Sequence, residues 1–223
     1  MRPQPALHRV LPAAGSVKTE QVLPYDDVRA ILLASRTFNI RDCICRAQQD
    51  QLGSRECDFP LNMCLNFSSE ERAAGPGDIS RDEALAILEK SEQLGLVHTV
   101  SNVMHGVGYV CNCCGCCCAL LRSINELGIE NSVAAANYFA EIDPEICASC
   151  GTCISRCQVH AISEGQYASV VDRARCIGCG LCVTGCPNDA ARLERKPVSD
   201  TVLPPVDFSA WEQARLHNRG LVG

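Results

Sequence analysis

The chain has 223 residues, of which 18 are cysteine, and 20 Lys and Arg against 26 Asp and Glu give a net charge of −6. This much cysteine is typical of a fold built around cysteine chemistry, and the acidic balance argues against a broad nucleic-acid-binding surface. Aromatic residues make up only 4%, and no apolar run reaches the length of a transmembrane helix.

The first predicted element is an extended arm, residues 1–24, which contains four prolines and little hydrophobic periodicity. Arg2 and a small-residue stretch give its start a faint likeness to a signal peptide, but Pro5 and Pro12 interrupt the apolar segment that such a peptide needs. The sequence therefore predicts a cytoplasmic protein. In that reducing compartment dense cysteines serve metal binding or redox chemistry more often than structural disulfides.

Helical patterns dominate the next segment, residues 25–130. Ser80 and Glu83 match the capping-box pattern S-x-x-E, and the amphipathic helix after them is expected to stop at Gly95. A second amphipathic helix is expected to end at Gly128. We therefore predict a small helical N-terminal domain.

Ten cysteines lie in this predicted domain, in two groups separated by the Ser80 helix. The candidate metal ligands are Cys43, Cys45, Cys57, Cys64, Cys111, Cys113, Cys114, Cys116, Cys117 and Cys118. The last six fall within eight positions, CNCCGCCC. Neighbouring side chains project in different directions, so Cys116, Cys117 and Cys118 are not expected to share one cluster. Spacing favours pairing Cys111 with Cys114, and Cys113 with Cys116.

A duplicated motif follows in residues 131–195. The spacing C-x2-C-x2-C-x3-C occurs twice, and every cysteine of the second copy lies at the same distance along the chain from its counterpart in the first. Loops with two-residue gaps let three thiolates converge on one small volume, and a fourth comes from elsewhere. Two zinc knuckles would use CxxC pairs instead, so the doubled spacing points to cubane clusters.

This repeat resembles the bacterial-type ferredoxin domain that holds two [4Fe–4S] clusters. The resemblance implies short hairpins and short helices, with the fourth cysteine of each run ligating the other cluster. The first implied ligand set is Cys147, Cys150, Cys153 and Cys186. The second is Cys176, Cys179, Cys182 and Cys157. Pro187 follows Cys186 as the pattern expects, whereas Gln158 stands where a proline would follow Cys157.

The earlier cysteines, with the element Cys43-x-Cys45-Arg46, are similar to a cysteine-rich module that precedes ferredoxin domains in multi-cluster iron–sulfur proteins of anaerobic bacteria. That resemblance covers residues 22–125 and implies one or two additional iron–sulfur clusters, without a ligand partition. A noncubane cluster and a metallothionein-like zinc or copper site remain open. His98 is either a ligand, a donor to cluster sulfide or a packed side chain, and Arg46 either offsets thiolate charge or lies on the surface.

Together the patterns predict an α+β fold, with a C-terminal tail at residues 196–223. The function predicted is single-electron transfer between a flavoprotein or soluble ferredoxin and a catalytic partner, as a non-catalytic subunit of an oxidoreductase complex, without nucleic acid and without a membrane span. A winged-helix reading of residues 80–103 is disfavoured by the charge. The alternatives are a reductase with an open iron site in residues 43–118, and a redox or metal sensor.

Overall fold

The first half of the chain folds around a six-stranded antiparallel sheet. The computed structural model describes residues 5–17, 22 and 24–221. Along the sheet the strand order is β1-β5-β6-β3-β2-β4, and the strands are β1 (His8–Val10), β2 (Thr37–Arg41), β3 (Cys64–Ser68), β4 (Asp78–Ile79), β5 (Val97–Ser101) and β6 (Tyr109–Cys113). The adjacent strands β5 and β6 pair from Val97↔Cys113 to Thr99↔Cys111, so the sheet carries part of the CNCCGCCC segment.

Four helices accompany this sheet: α1 (Val28–Leu33), α2 (Ile44–Gln51), α3 (Arg81–Gln93) and α4 (Ala119–Leu127). The apolar sides of α1 and α3 meet the sheet, where Leu32 and Leu88 join Phe38 and Leu65 in one buried core. The predicted capping box is confirmed: the Ser80 side chain accepts from the Glu83 amide, and the Glu83 carboxylate accepts from the Ser80 amide.

The prediction of a helical N-terminal domain is not confirmed, because the sheet supplies the frame and the helices lie on it. In the sequence only the segment LVHTV (96–100), which predicts a short strand or turn, marks part of this sheet, and the weak strand signal has a physical reason. Every residue of β5 (VHTVS) is buried, so this strand lacks the alternation of polar and apolar residues that marks a half-exposed strand. In β6 (YVCNC) two cysteines and Asn112 stand where a row of apolar side chains would otherwise mark the buried face of a strand.

The second half contains two small antiparallel pairs and two one-turn helices. Strand β7 (Tyr138–Ile142) pairs with β10 (Ala191–Arg195), and β8 (Ile162–Ser163) pairs with β9 (Val170–Val171). The helices are α5 (Thr152–Ser155) and α6 (Leu181–Thr184). The resemblance implies two short hairpins and two short helices; of the two strand pairs only β8–β9 is a hairpin, because β7 and β10 come from opposite ends of the block.

The predicted arm and tail both pack onto the fold. Strand β1 of the arm pairs with β5. The tail ends in α7 (Phe208–Asn218), whose Trp211 Nε1 donates to the carbonyl of Ala6 over 2.9 Å. The remaining arm residues 1–4, 18–21 and 23 lie outside the described residues.

One buried core joins the two halves. It contains Val97 and Leu121 from the first half together with Ile177 and Leu193 from the second. The division of the chain near residue 130 therefore stays a sequence-based prediction, and the halves pack against each other closely. No helix in the described parts of the chain has the length and apolar character needed to span a bilayer.

Candidate metal centres

The eight cysteines of the duplicated block surround two cavities. One cavity is lined by Cys147, Cys150, Cys153 and Cys186. The other is lined by Cys157, Cys176, Cys179 and Cys182. The structure thus brings together the cysteines of each predicted ligand set, including the fourth cysteine from the opposite run.

Backbone amides point at these sulfurs in a repeated manner. The Ala161 amide donates to Cys157 Sγ over 3.1 Å, and the Ala190 amide donates to Cys186 Sγ over 3.2 Å. Ala161 and Ala190 occupy equivalent positions in the two copies of the motif, so the duplication extends to the hydrogen bonds. N–H groups aimed at sulfur stabilise negative charge there and tune the potential of a bound cluster.

The same symmetry governs the backbone turns that present the thiols. Positive φ angles occur in pairs at equivalent positions of the two copies: Ser149 (51°) with Gly178 (69°), Gly151 (76°) with Gly180 (72°), and His160 (53°) with Asp189 (54°). At Gly178 an added Cβ would lie 2.4 Å from the carbonyl oxygen of Tyr138. This glycine is therefore needed for close packing as well as for its left-handed conformation.

The chemistry of both cavities fits an iron–sulfur cluster, since each combines four soft thiol ligands with a surrounding shell of amides. The cavities differ in access to solvent. Cys150 in the first is exposed. In the second, burial raises the pKa of the Cys182 thiol to about 12 and that of Cys179 well above its ordinary value, so these thiols would need a metal to become thiolates.

In the first half four thiols converge on one point. The sulfurs of Cys57, Cys114, Cys116 and Cys117, here called the tetrathiol site, all lie within 4.8 Å of one another. Cys57 Sγ is 3.9 Å from Cys114 Sγ and 3.7 Å from Cys117 Sγ, and Cys116 Sγ is 3.7 Å from Cys117 Sγ. Cys57 comes from the loop after α2, and the other three come from the turn between β6 and α4.

The remaining six thiols form a closed cycle, here called the six-thiol ring. In order around the ring, each interacting with the next and the last with the first, they are Cys43, Cys45, Cys118, Cys113, Cys111 and Cys64. Each of these contacts is between side chains. The ring thus combines three cysteines from the first sequence group with three from the second.

The thiols of the ring alternate in their affinity for protons. A hydrogen bond from Cys45 is the main cause that lowers the pKa of Cys43 to about 2. Hydrogen bonds from Cys113 are the main cause that lowers the pKa values of Cys111 and Cys118 to about 3. The other three thiols donate those bonds, which raises the pKa of each. Cys43 and Cys118 also stand at the N-termini of α2 and α4, where free amides favour thiolate.

Arg46 lies between the two groups of thiols and is fully buried. Its Nη2 donates to the Asn112 carbonyl over 2.6 Å, and its Nη1 donates to the Pro60 carbonyl over 3.0 Å. Burial opposes the charge of this guanidinium, but the nearby thiols of Cys114 and Cys43 keep its pKa above the ordinary value. Of the two sequence-based readings of Arg46, the structure supports charge compensation.

His98 is committed to hydrogen bonds with protein groups. Its Nδ1 lies 2.6 Å from Asn112 Oδ1, its Nε2 lies 3.2 Å from Glu92 Oε1, and its side chain is 1% exposed. Both ring nitrogens are therefore engaged, and the residue is a packed member of a polar network. His98 is one of two features, with the spare cysteines, that motivated an open iron site, and the structure engages both of its nitrogens elsewhere.

The structure does not bring together the cysteine pairs that local spacing favours. Cys111 belongs to the six-thiol ring while Cys114 belongs to the tetrathiol site, and the same division separates Cys113 from Cys116. The reason is that the β6 strand ends at Cys113 and the chain then turns. The turn thiols Cys114, Cys116 and Cys117 consequently face the tetrathiol site. The strand thiols face the ring, which Cys118 joins from the N-terminus of α4.

Gln158, the departure from the ferredoxin pattern, links the two halves. Its Oε1 accepts from the Gly115 amide over 2.7 Å, and its Nε2 donates to the Gly95 carbonyl over 2.9 Å. Asn125 Nδ2 donates to the carbonyl of Gln158 over 3.0 Å. A proline at this position could not make these side-chain bonds. The departure from the ferredoxin pattern looks minor in the sequence, but in the structure it provides a contact between the two halves.

Arg156 provides a second link between the halves. Its Nε donates to the carbonyl of Leu181 over 2.8 Å, and its Nη1 and Nη2 donate to the carbonyls of Gln93 and Glu92 at the end of α3. The guanidinium therefore binds two carbonyls at the C-terminal end of α3, of which that of Glu92 also accepts from the Gly95 amide.

Comparison with known proteins gives a family match in the second half. Residues 140–163 and 169–192 match the family described as a 4Fe-4S binding domain, which supports a ferredoxin-type iron–sulfur domain in this part of the chain. The two matched segments correspond to the two copies of the duplicated motif. A comparison with curated proteins found no match.

Proposed function

We propose that this chain is a multi-cluster electron-transfer protein, with two [4Fe–4S] clusters in the ferredoxin block and one further iron–sulfur centre in the first half. The single observation that carries the proposal is the pair of cavities, each lined by four cysteines, within the segments that match the 4Fe-4S family. Bound clusters supply reversible one-electron chemistry, and the protein sets their potentials by burial, hydrogen bonds and charge.

The first ligand set is Cys147, Cys150, Cys153 and Cys186. The second is Cys157, Cys176, Cys179 and Cys182. The amides of Ala161 and Ala190 would stabilise charge on one thiolate of each set, since both donate to the sulfur of a fourth-position cysteine. The contrast between exposed Cys150 and buried Cys182 suits the first site to exchange with an external partner and the second to transfer within the protein.

The six-thiol ring is the place we propose for the further iron–sulfur centre. Six thiols exceed the four ligands of one cubane, which favours a larger or noncubane centre. Cys113 and Cys118 of the ring share a buried core with Cys153 and Cys182 of the ferredoxin block. Electrons would therefore have a packed route between the ring and the ferredoxin sites.

The proposed partners are redox proteins on either side of this path, in a larger oxidoreductase complex. Cys150 marks the surface at which the first would dock. The acidic net charge favours a partner with a basic patch, because complementary charge accelerates encounter.

The test is spectroscopic and uses the full chain purified under strictly anaerobic conditions. We expect the visible absorption to bleach reversibly on reduction with dithionite or a photoreductant, and reduced protein to show interacting [4Fe–4S] signals by electron paramagnetic resonance. Cys153→Ala and Cys182→Ala should each remove one cluster of the pair, abolish the interaction and leave the other signal. Protein with full iron and sulfide that shows no reversible bleaching would overturn the electron-transfer proposal.

A further inference from the structure

The tetrathiol site has the dimensions of a single metal ion. A tetrahedral ion with metal–sulfur bonds of about 2.3 Å holds its ligand sulfurs about 3.8 Å apart. Three of the six sulfur–sulfur distances at the site are 3.7, 3.7 and 3.9 Å. All four sulfurs lie within 4.8 Å of one another, so a single ion at the centre could reach every one.

A cubane cluster does not fit between these thiols. In a cubane each thiolate binds a different iron atom at a corner, and four irons and four sulfides occupy the space between the ligands. In the ferredoxin block of the same structure the thiols are instead spread around two cavities. Among its eight described cysteines, no three sulfurs approach as closely as those of the tetrathiol site.

The surroundings compensate the charge that four thiolates would carry. The Arg55 guanidinium interacts with the side chain of Cys57. Arg46 interacts with Cys114. The Nε–H groups of Arg46 and Arg55 are buried and have no hydrogen-bond partner among the described residues, so each guanidinium beside the site retains an unused donor.

The site also stands apart from the redox core. Cys114 and Cys117 pack with Met63 and Leu96 in a separate small cluster of buried residues, whereas thiols of the ring and of the ferredoxin block share the large core. Its ligands fasten the loop after α2 to the turn between β6 and α4. Four protein ligands leave no open coordination position, which is the arrangement of structural zinc sites.

We propose that the tetrathiol site binds one zinc ion, which holds the first half of the fold together and takes no part in electron transfer. This ion is additional to the iron–sulfur centres of the proposed function and does not depend on them. Because the unfolded chain has no preformed site, zinc binding would contribute directly to the stability of this half.

The primary test is metal analysis and zinc-edge X-ray absorption on the full chain, purified anaerobically from cells supplied with both iron and zinc. We expect one zinc per chain, with four sulfur neighbours at about 2.3 Å and no second metal nearby. Cobalt added in place of zinc during growth should give the visible bands of a tetrahedral tetrathiolate. Protein with iron alone, whether as a cluster or as a single ion at this site, would overturn the assignment.

Paired variants distinguish this site from the ferredoxin clusters. Cys57→Ala should lose the zinc and keep the ferredoxin signals, whereas Cys150→Ala should lose iron and sulfide and keep one zinc. Zinc that persists in Cys57→Ala, or ferredoxin signals that disappear together with it from folded protein, would contradict the proposal. If Cys57→Ala does not fold, the zinc-edge X-ray absorption spectrum of the wild-type protein decides whether zinc occupies the site. A negative result there overturns the zinc proposal and leaves the bleaching test of the ferredoxin block unaffected.

Discussion

The two cysteine-rich regions present their thiols in opposite ways. In the ferredoxin block the thiols stand around cavities and receive hydrogen bonds from backbone amides. In the first half the thiols contact one another, and a buried guanidinium, Arg46, compensates their charge. The first arrangement leaves room for a cluster of several atoms, whereas the tetrathiol site leaves room for one ion.

The difference shows that a high cysteine content does not define one cofactor. Ligands of the ferredoxin block come from two short runs whose turns repeat at a constant offset, and local backbone conformation places them. In the first half, Cys57 and Cys117 are 60 positions apart and meet only because the sheet brings their loops together. Variants that disturb the tertiary arrangement should therefore affect the two regions unequally.

Arg46→Met should have the largest effect and should be confined to the first half. It removes a buried charge that holds two carbonyls and offsets two thiol groups, and breaking such an arrangement costs about 3–5 kcal/mol. Anaerobic denaturant unfolding followed by circular dichroism measures the loss, and metal analysis should show reduced zinc.

The matched control for Arg46 is Arg36→Met, because Arg36 pairs with Glu71 on the surface. A surface change of this kind should stay within about 0.5 kcal/mol. Equal losses for Arg46→Met and Arg36→Met would show that burial of Arg46 is unimportant.

Gly115→Ala should be the next most damaging change. A Cβ at this position would lie 2.2 Å from the carbonyl oxygen of Gln158, and backbone at the junction of the halves cannot easily retreat. Overpacking of this kind costs about 1–3 kcal/mol, and we expect a value at the upper end of this range. The midpoint of thermal unfolding should fall accordingly. Gly75→Ala meets only ordinary contacts and should unfold close to wild type.

Gln158→Ala should loosen the junction without emptying the ferredoxin cavities. Two hydrogen bonds to the first half disappear and leave the Gly115 amide unpaired, for a cost of about 1–2 kcal/mol. Hydrogen exchange should accelerate at Gly115, while the ferredoxin signals persist. Gln166→Ala is the control, because the Gln166 side chain bonds only to neighbouring Tyr167 in the described structure. Unchanged exchange at Gly115 would argue against this junction.

Glu92→Gln should have the smallest effect, visible as a change in pH dependence. Burial raises the pKa of Glu92, but the bonds from His98 and from the Ala14 amide outweigh it and hold the pKa below 4.5. A carboxyl with a depressed folded-state pKa contributes stability above its unfolded value and loses it as the pH falls through the folded value. Glu92→Gln should therefore lose less stability than wild type on acidification below about pH 5, by about 1 kcal/mol.

The control for Glu92 is Glu89→Gln, on the exposed side of the same helix. The stability of Glu89→Gln should follow the wild-type dependence on pH. A weaker pH dependence in Glu92→Gln then reports the bonds that Glu92 accepts from His98 and Ala14. Identical curves for all three proteins would mean that the bonds to Glu92 contribute no pH-dependent stability.

Sequence reading succeeds where the physics is local. The capping box at Ser80 depends on residues three positions apart, and the turns of the ferredoxin block depend on a few successive backbone angles. Both were therefore accessible without a structure. Gln158 shows the opposite: a departure from the pattern that looks minor in the sequence makes contacts with Gly95 and Gly115, which lie far away along the chain.

By itself the sequence determined the duplicated cysteine spacing and with it the ferredoxin-type domain, since four thiols on short loops converge without help from the rest of the chain. The tertiary structure decided the division of the other ten cysteines into a ring of six and a site of four. That division depends on a sheet whose strands lack a clear alternation of polar and apolar residues. It also depends on whether each thiol lies on β6 or on the segment that follows it. The spacing of cysteines along the chain predicts neither the strand pairing nor the position of each thiol, because strand pairing sets the distances between loops.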